Sequence, residues 1–517
     1  MNEARGFSSA RPTHPHHTGG RTVARALAAV ERLGNRLPDP FWLFWMLALA
    51  VIVLSAALST TGFAARNSSG RLLHVRSLLS SDGVAMMVGG AVRNYASFPP
   101  LATVIVVLLG ISVADRSGLI TALLQRMVLQ VSGPSLTFVL SLTAMVGHVA
   151  GDAAYVTLIP IGAMAFQAAG RSPLLGCVVA FVSVSAGYDA SPLLTSTDVL
   201  LSGITTAAAN TVDPGLVVSP LSNYFFGLAS SLLIAATITV VVETVLARSP
   251  GLGHDETAGL KTDAAHAPNE PNNRETRGLW ASAAVALGFV VALILVVLPS
   301  GSPLRGPGGS LTQSPLITGI ALVLGVFFTA VGLAYGLTTG TFTCARDVVA
   351  AMSDGVRSLA PTLVLFFAIS QFLAYFTWTN IGEIVAIRGA ETLTRLGAHE
   401  WLVLVGVAAV ITVMNLFITS GSALWSLVAP VVVPMLLLTG IPAEATQAVY
   451  RVADSATNCI TPMSPYFAMA LRHLQTYRKT AGIGTLVSLT LPVAGAVWIV
   501  WILFFILWHL LGIPFGL

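Results

Sequence analysis

Long apolar runs dominate the chain, at 41–58, 224–242, 279–298, 316–337 and 485–511. Each comes close to or passes the roughly 20 residues that an α-helix needs to cross a bilayer. Their length, and the lack of short alternating segments, argues against a membrane β-barrel. Two other stretches are apolar, then polar at a tip, then apolar again: FPPLATVIVVLLGISVADRSGLITALL (98–124) and LAPTLVLFFAISQFLAYFTWTNIGEIVA (359–386). Pro100 and Pro361 precede the two tips by similar distances. The arms are each under about 17 residues, short for a span, so the pattern predicts re-entrant hairpins near 98–130 and 359–390. Four more stretches read as breaks in helices: 147–155, 185–198, 415–425 and 454–466. Their Gly, Ser, Thr, Asn and Pro are poor helix interiors.

The breaks repeat. GDAAY at 151–155 meets GSALW at 421–425, 270 residues later. The same offset pairs Pro160 with Pro430, Gly170 with Gly440, and Pro192 with Pro462. Every match includes a residue that shapes backbone, which predicts two related halves. The expected organisation is a 1–40 tail, a first transmembrane repeat over 41–246 and a linker over 247–277. A connecting helix at 278–300 and a second repeat over 316–513 complete it. Counting spans starts the two units on opposite sides, giving an inverted repeat of about nine transmembrane helices and two re-entrant hairpins, an all-α polytopic membrane protein.

Composition agrees. Of 517 residues, 55% are hydrophobic and only 9% charged, against about 25% charged in soluble domains. Mean hydropathy is +0.81. The net charge of +4 reads as an orientation signal rather than a nucleic-acid footprint. Arg5, Arg11, Arg21, Arg25, Arg32 and Arg36 precede the first run, against Glu3 and Glu31, which predicts a cytoplasmic N-terminus. Arg248, Lys261, Arg274 and Arg277 argue the same for the linker. The first run is expected to be retained, because no small-residue cleavage pattern follows it. His14, His16 and His17 read as parts of a solvated tail. Cys177, Cys344 and Cys459 make no metal or disulfide spacing and read as small buried hydrophobes.

Charge inside such a chain marks chemistry. YRVADSATNCITPMSPY (450–466) holds Arg451 and Asp454 three apart, on one helix face, with Asn458 continuing the stripe. Arg451 can pair a substrate carboxylate with its planar fork. Asp454 can carry a proton or, with the amide of Asn415, hold Na+. The bland alternative is a structural ion pair. Ser422 and Trp425 share a face near the third break, and Trp425 can stack on an aromatic substrate or simply pack. Asp152, the repeat partner of Ser422, and Asp198 supply acid in the first half, and Asp189 can face a cavity. His148 is the only histidine beside a break, and it reads better as a hydrogen-bonded packing residue than as a proton relay.

ERLGNRLPDP (31–40), ADRSGL (114–119), TDVLLSGIT (197–205), FTWTNIG (376–382), SGSALW (420–425) and the 450–466 stretch together resemble the AbgT family of p-aminobenzoyl-glutamate transporters, over about 28–513. The resemblance implies a bowl-shaped homodimer of nine-helix protomers with two hairpins, in the bacterial inner membrane. It implies coupling to Na+ or H+ without an organic cofactor, and p-aminobenzoyl-glutamate or sulfonamide antimetabolites as cargo. It ties Asp198, Asn415, Ser422, Trp425, Arg451, Asp454 and Pro462 to transport or ion binding. The chain departs from the family pattern at Tyr188-Asp189-Ala190-Ser191, Thr419 and Leu424, losing a lysine and gaining a carboxylate. A sodium-coupled carboxylate transporter of related architecture is the alternative cargo class. An enzyme is not expected, since no nucleophile–base pair, metal cluster or phosphate loop stands out.

Overall fold

The structure is a computed structural model that describes residues 38–66, 70–129, 131, 133, 135–248, 273–310 and 314–517. The polar tail with its histidines, and most of the 247–277 linker, lie outside the described residues. Asp39 caps the first helix, accepting from the Phe41 N–H at 2.9 Å, with Pro40 at its first position.

The helices of the first half are α1 (Pro40–Thr61), α2 (Ser81–Ala96), α3 (Pro99–Arg116), α4 (Leu119–Leu129), α5 (Leu136–Gly147), α6 (Ala153–Ala168), α7 (Pro173–Ala186), α8 (Ser196–Ala209) and α9 (Tyr224–Val241). The second half has α10 (Asn273–Val297), α11 (Ile320–Thr339), α12 (Ala345–Trp378), α13 (Ile381–Arg395), α14 (Glu400–Asn415), α15 (Gly421–Leu438), α16 (Ala443–Ser455), α17 (Pro465–Tyr477) and α18 (Ile483–Leu510). A two-stranded ribbon, β1 (Ala64–Arg66) and β2 (Leu72–His74), follows α1. Eight helical segments among the described residues are long and apolar enough to cross a membrane, α2 and α3 counting as one. Each of the five apolar runs of the sequence overlaps one of them, extending past its ends by at most a few residues.

The halves repeat element by element. Helix α5 packs on α7 as α14 packs on α16, and α4 on α6 as α13 on α15. Pro160 and Pro430 sit inside α6 and α15. Gly170 and Gly440 both follow these helices with left-handed backbone, φ 69° and 92°, a conformation open mainly to glycine. Within the first half, α6 and α7 cross at Gly162 and Gly176, where a Cβ on either would overlap the other's carbonyl. Such close backbone contact is how small residues join helices in lipid.

The expected hairpin at 359–390 is corrected. Its first arm is the end of α12, a 34-residue helix that runs through Pro361. Its turn is tied to the β-ribbon: the Arg76 N–H donates to the Thr379 carbonyl at 3.1 Å, and Asn380 Nδ2 donates to the His74 carbonyl at 3.0 Å. An open ribbon cannot lie in hydrocarbon with its edges unpaired, so this turn sits at a membrane surface. In the first half, α2 and α3 form the equivalent long element, interrupted at Ser97–Phe98. Pairs of shorter arms around a polar tip occur instead at α5–α6 and α14–α15. The sequence pattern pointed elsewhere because one internal proline is too weak to end a helix whose other residues favour it.

Candidate functional site

The four predicted breaks are real interruptions, at 148–152, 187–195, 416–420 and 456–464. They converge on a cavity of about 880 Å³. Its wall is built from the tips 149–153 and 419–422, from the later breaks, and from one face each of α3 and α12. The size suits a drug-like molecule. Its charged lining is Asp115, Asp152, Asp189, Asp354 and Asp454 against Arg116 alone. Arg116 is itself paired to Asp354 at 2.8 Å.

Of the predicted residues, Asp152, Ser422, Asp454 and Asn458 line this cavity. Asp152 is exposed to it, beside Tyr155 and Tyr466, whose rings stack at 4.0 Å. Ser422 lies in the first turn of α15, 3.4 Å from the Ser420 hydroxyl that caps the helix. Asp454 is buried on α16 and lies against that same first turn, since a Cβ on Gly421 would sit 3.0 Å from its Oδ2. The positive end of α15 therefore faces its carboxylate. Its Oδ1 has no partner. Tyr450, one turn before it, donates to the Gly421 carbonyl at 2.5 Å.

Arg451 and Asp454 share a helix but not a bond. Arg451 Nη1 pairs with Asp198 Oδ1 at 2.8 Å, across the two halves. Its Nε donates to Asn223 Oδ1 at 3.2 Å, and Nη1 reaches the Asp189 carbonyl at 3.4 Å. The other oxygen of Asp198 closes the N-terminal cap of α8, accepting from the Thr195 N–H at 2.7 Å and hydroxyl at 2.8 Å. Arg451 and Asp198 are 3% and 9% exposed and neither lines the cavity, so both stand behind its wall as a buried bolt.

Trp425 is also behind the wall. It is fully buried, donates from Nε1 to Thr205 Oγ1 at 3.0 Å, and packs at a tilt against the Tyr450 ring, centroids 4.4 Å apart. Thr205 in turn donates to Gln447 Oε1 at 2.7 Å. Pro462 falls in the last break without reaching the cavity, next to Thr461, whose hydroxyl donates to the Leu416 carbonyl at 2.9 Å. Cys177 and Cys459 are buried as expected, but Cys344 is exposed at the start of α12.

Asn415 closes α14, and three acceptors surround its amide nitrogen. They are the Asp454 carbonyl, Thr457 Oγ1 at 3.0 Å and Asn458 Oδ1 at 2.9 Å. An amide NH₂ has two hydrogens for these three, while Asn415 Oδ1 is buried without a partner. Turning the amide would gather four oxygens at one point, a donor set suited to a hard cation. Asn458 reaches this node from beyond the end of α16, so it does not extend the helical stripe. The sequence reading named Tyr188 only as a departure from the family pattern, and it did not single out Thr205, Asn223, Tyr450, Thr457 or Tyr466. Tyr450, Thr457 and Tyr466 stand inside the quoted 450–466 stretch, whereas Asn223 carries only the weak signal of a polar residue before an apolar run.

A family profile described as the AbgT putative transporter family matches residues 25–517. The chain is 34% identical, over 494 residues, to the p-aminobenzoyl-glutamate transport protein of Escherichia coli (strain K12), covering 94% of this chain and 95% of that one. Two solved structures are similar. The YdaH transporter of Alcanivorax borkumensis matches with a TM-score of 0.88 and 35% identity, over 93% of this chain and 100% of that one. MtrF of Neisseria gonorrhoeae, described as illuminating a class of antimetabolite efflux pumps, matches with a TM-score of 0.89 and 36% identity, over 94% and 97%.

Proposed function

Since the chain belongs to the AbgT putative transporter family, we propose that it is an ion-coupled carrier of p-aminobenzoyl-glutamate or related aromatic compounds, working in both halves around the cavity described above. The carrying observation is the meeting of four helix breaks, two from each half, at one acidic chamber. Broken helices facing each other across a repeat are the usual core of alternating access. The units are read as inverted, with the short-armed pairs α5–α6 and α14–α15 as the re-entrant segments.

The Asn415 node is read as the coupling-cation site. Asn415, Thr457, Asn458 and the Asp454 carbonyl would hold Na+, with the Asp454 carboxylate supplying charge beside it. Bound Na+ would lend its gradient to the transport cycle. Asp152 and Ser422 are read as cargo contacts. Arg451, Asp198 and Trp425 hold the wall in shape.

The acidic lining bears on cargo. Five aspartates and one paired arginine disfavour a free dianion. Neutral aromatic amides of the sulfonamide type suit the wall better, and p-aminobenzoyl-glutamate would need accompanying cations. Sulfonamide-type antimetabolites are therefore the favoured cargo, and simple dicarboxylates are the least suited. The protein is expected to act as a homodimer in the bacterial inner membrane with a cytoplasmic N-terminus, the latter supported by the six arginines before α1.

Purified protein in liposomes tests this. Labelled p-aminobenzoyl-glutamate and a labelled sulfonamide are followed under a Na+ or a proton gradient. Gradient-driven flux of either, lost in Asp454→Asn, is expected. Absence of flux for both in folded protein, or selective Na+-driven uptake of a plain dicarboxylate, would overturn the reading.

A further inference from the structure

The two tips that enter the chamber carry different chemistry. GDAAY at 151–155 and GSALW at 421–425 stand 270 residues apart, so Asp152 answers to Ser422 and Tyr155 to Trp425. The second-half tip is neutral, and its ring is spent on the wall, where Trp425 is buried against Tyr450. The first-half tip exposes a carboxylate to the chamber, and its ring lines the cavity. A carboxylate in place of a hydroxyl gives the chamber two unlike ends.

The Asp152 carboxylate is unspent. It stands at the N-cap position of α6, yet its side chain accepts no bond from that helix. Ser420, by contrast, does cap α15. Among the described residues Asp152 has no ion-pair partner. The Tyr466 hydroxyl lies against it. A carboxylate has about four acceptor sites, so room remains for a donor with two hydrogens.

Aromatic rings wall this carboxylate. Tyr155 lies three residues on, on the same face of α6. Tyr466, the second residue of α17, stacks on it with centroids 4.0 Å apart and planes 5° apart. Tyr188, from the break at 187–195, is the third ring and feels the charge of Asp152. Tyr155 is buried, whereas Tyr466 and Tyr188 are half-buried, so the stacked pair shows the chamber one flat face. All four residues line the cavity.

This arrangement selects a ligand class. One carboxylate among rings is a poor metal site, since a hard cation takes about six or more oxygens. The same charge turns away the carboxylated end of a cargo. A primary aromatic amine fits: its two N–H groups meet the carboxylate, and its ring lies on the Tyr466 face. Such an amine is neutral, so it needs no counter-charge in the chamber. Aminobenzoyl compounds and sulfanilamide-type sulfonamides share this end.

We propose that Asp152, with Tyr155, Tyr188 and Tyr466, forms an arylamine subsite that takes the free amino end of the cargo at the first-half tip. The acyl or sulfonyl end then points away from that tip. The proposal rests on the carrier reading given above. It makes the free amine the feature recognised in both cargo types, and Asp152 the residue that determines specificity.

Equilibrium binding to purified full-length protein tests it with three probes: sulfanilamide, sulfanilamide acetylated on its aniline nitrogen, and benzenesulfonamide, which lacks the amine. The wild type should bind sulfanilamide about tenfold more tightly than benzenesulfonamide, as expected when hydrogen bonds to a charged acceptor are lost. Acetylation, which removes one N–H and adds bulk, should weaken binding at least as much. In Asp152→Ala the preference for the amine should vanish while benzenesulfonamide affinity stays the same. A merely structural role would weaken all three probes alike and so overturn the proposal. Asp152→Ser, which copies the second-half tip, serves as the second variant should the first fold poorly. Equal binding of the three probes by the wild type, or an amine preference that survives in the variants, would also overturn it. Gradient-driven flux in liposomes judges the carrier reading separately. Cargo flux alongside equal binding of the probes would defeat the subsite alone, whereas neither binding nor flux would defeat both.

Discussion

Replacing Arg451 by methionine separates a bolt from a binding group. Arg451→Met keeps much of the stem volume but removes the guanidinium that meets Asp198 at 2.8 Å, Asn223 at 3.2 Å and the Asp189 carbonyl at 3.4 Å. Asp198 Oδ2 keeps its two bonds from Thr195, while Oδ1 loses its cation in a site 9% exposed. Breaking one side of a buried pair costs about 3–5 kcal/mol. Asp198→Asn removes the orphaned charge and can still accept from Thr195. The double variant should therefore lie within about 2 kcal/mol of wild type, since replacing both members of a buried pair is often near neutral. The assay is denaturant unfolding in mild detergent across the four-member cycle, read beside cargo binding. The reasoning fails if Arg451→Met is as stable as wild type and loses affinity only for carboxylated cargo. That pattern would put the guanidinium on the cargo instead of behind the wall.

Three other outcomes follow from the same geometry. Trp425→Ala should cost about 3–5 kcal/mol of stability as a large buried ring is lost, while the ratio of KM values for aromatic and non-aromatic cargo stays the same; a selective loss of aromatic cargo would return Trp425 to the binding surface. Asn415→Ala should raise the Na+ concentration needed for half-maximal flux by tenfold or more, and an unchanged Na+ dependence would remove the cation from that node. Gly176→Val should abolish folded protein, because its side chain would overlap the Gly162 carbonyl; wild-type yield in the membrane would show that α6 and α7 can separate there.

The sequence made the spans and breaks readable because both are local properties. Twenty apolar residues in a row allow few other structures. Glycine, serine and proline in clusters disfavour helix wherever they fall. All four breaks were placed to within a few residues for that reason. The hairpin at 359–390 was misread because its turn is anchored to a ribbon just over 300 residues earlier in the chain. The site was legible in membership more than in role. Helical spacing put Arg451 and Asp454 on one face, but it says nothing about the neighbour each one meets. Arg451 turned to α8 and Asp454 to the first turn of α15, which no single-helix argument contains. The hydrogen bond of His148 to the Val184 carbonyl and its contact with Tyr188 likewise emerged only once the chain brought them together.

On the proposed function, cargo occupies the chamber where the four breaks meet. The direct test is alkylation of Ser422→Cys by a membrane-permeant maleimide, with and without a sulfonamide or p-aminobenzoyl-glutamate. Exposed Cys344, away from the chamber, serves as the internal control. Cargo should slow labelling at position 422 severalfold and leave Cys344 unaffected. Equal labelling rates at position 422 with saturating cargo would contradict the claim.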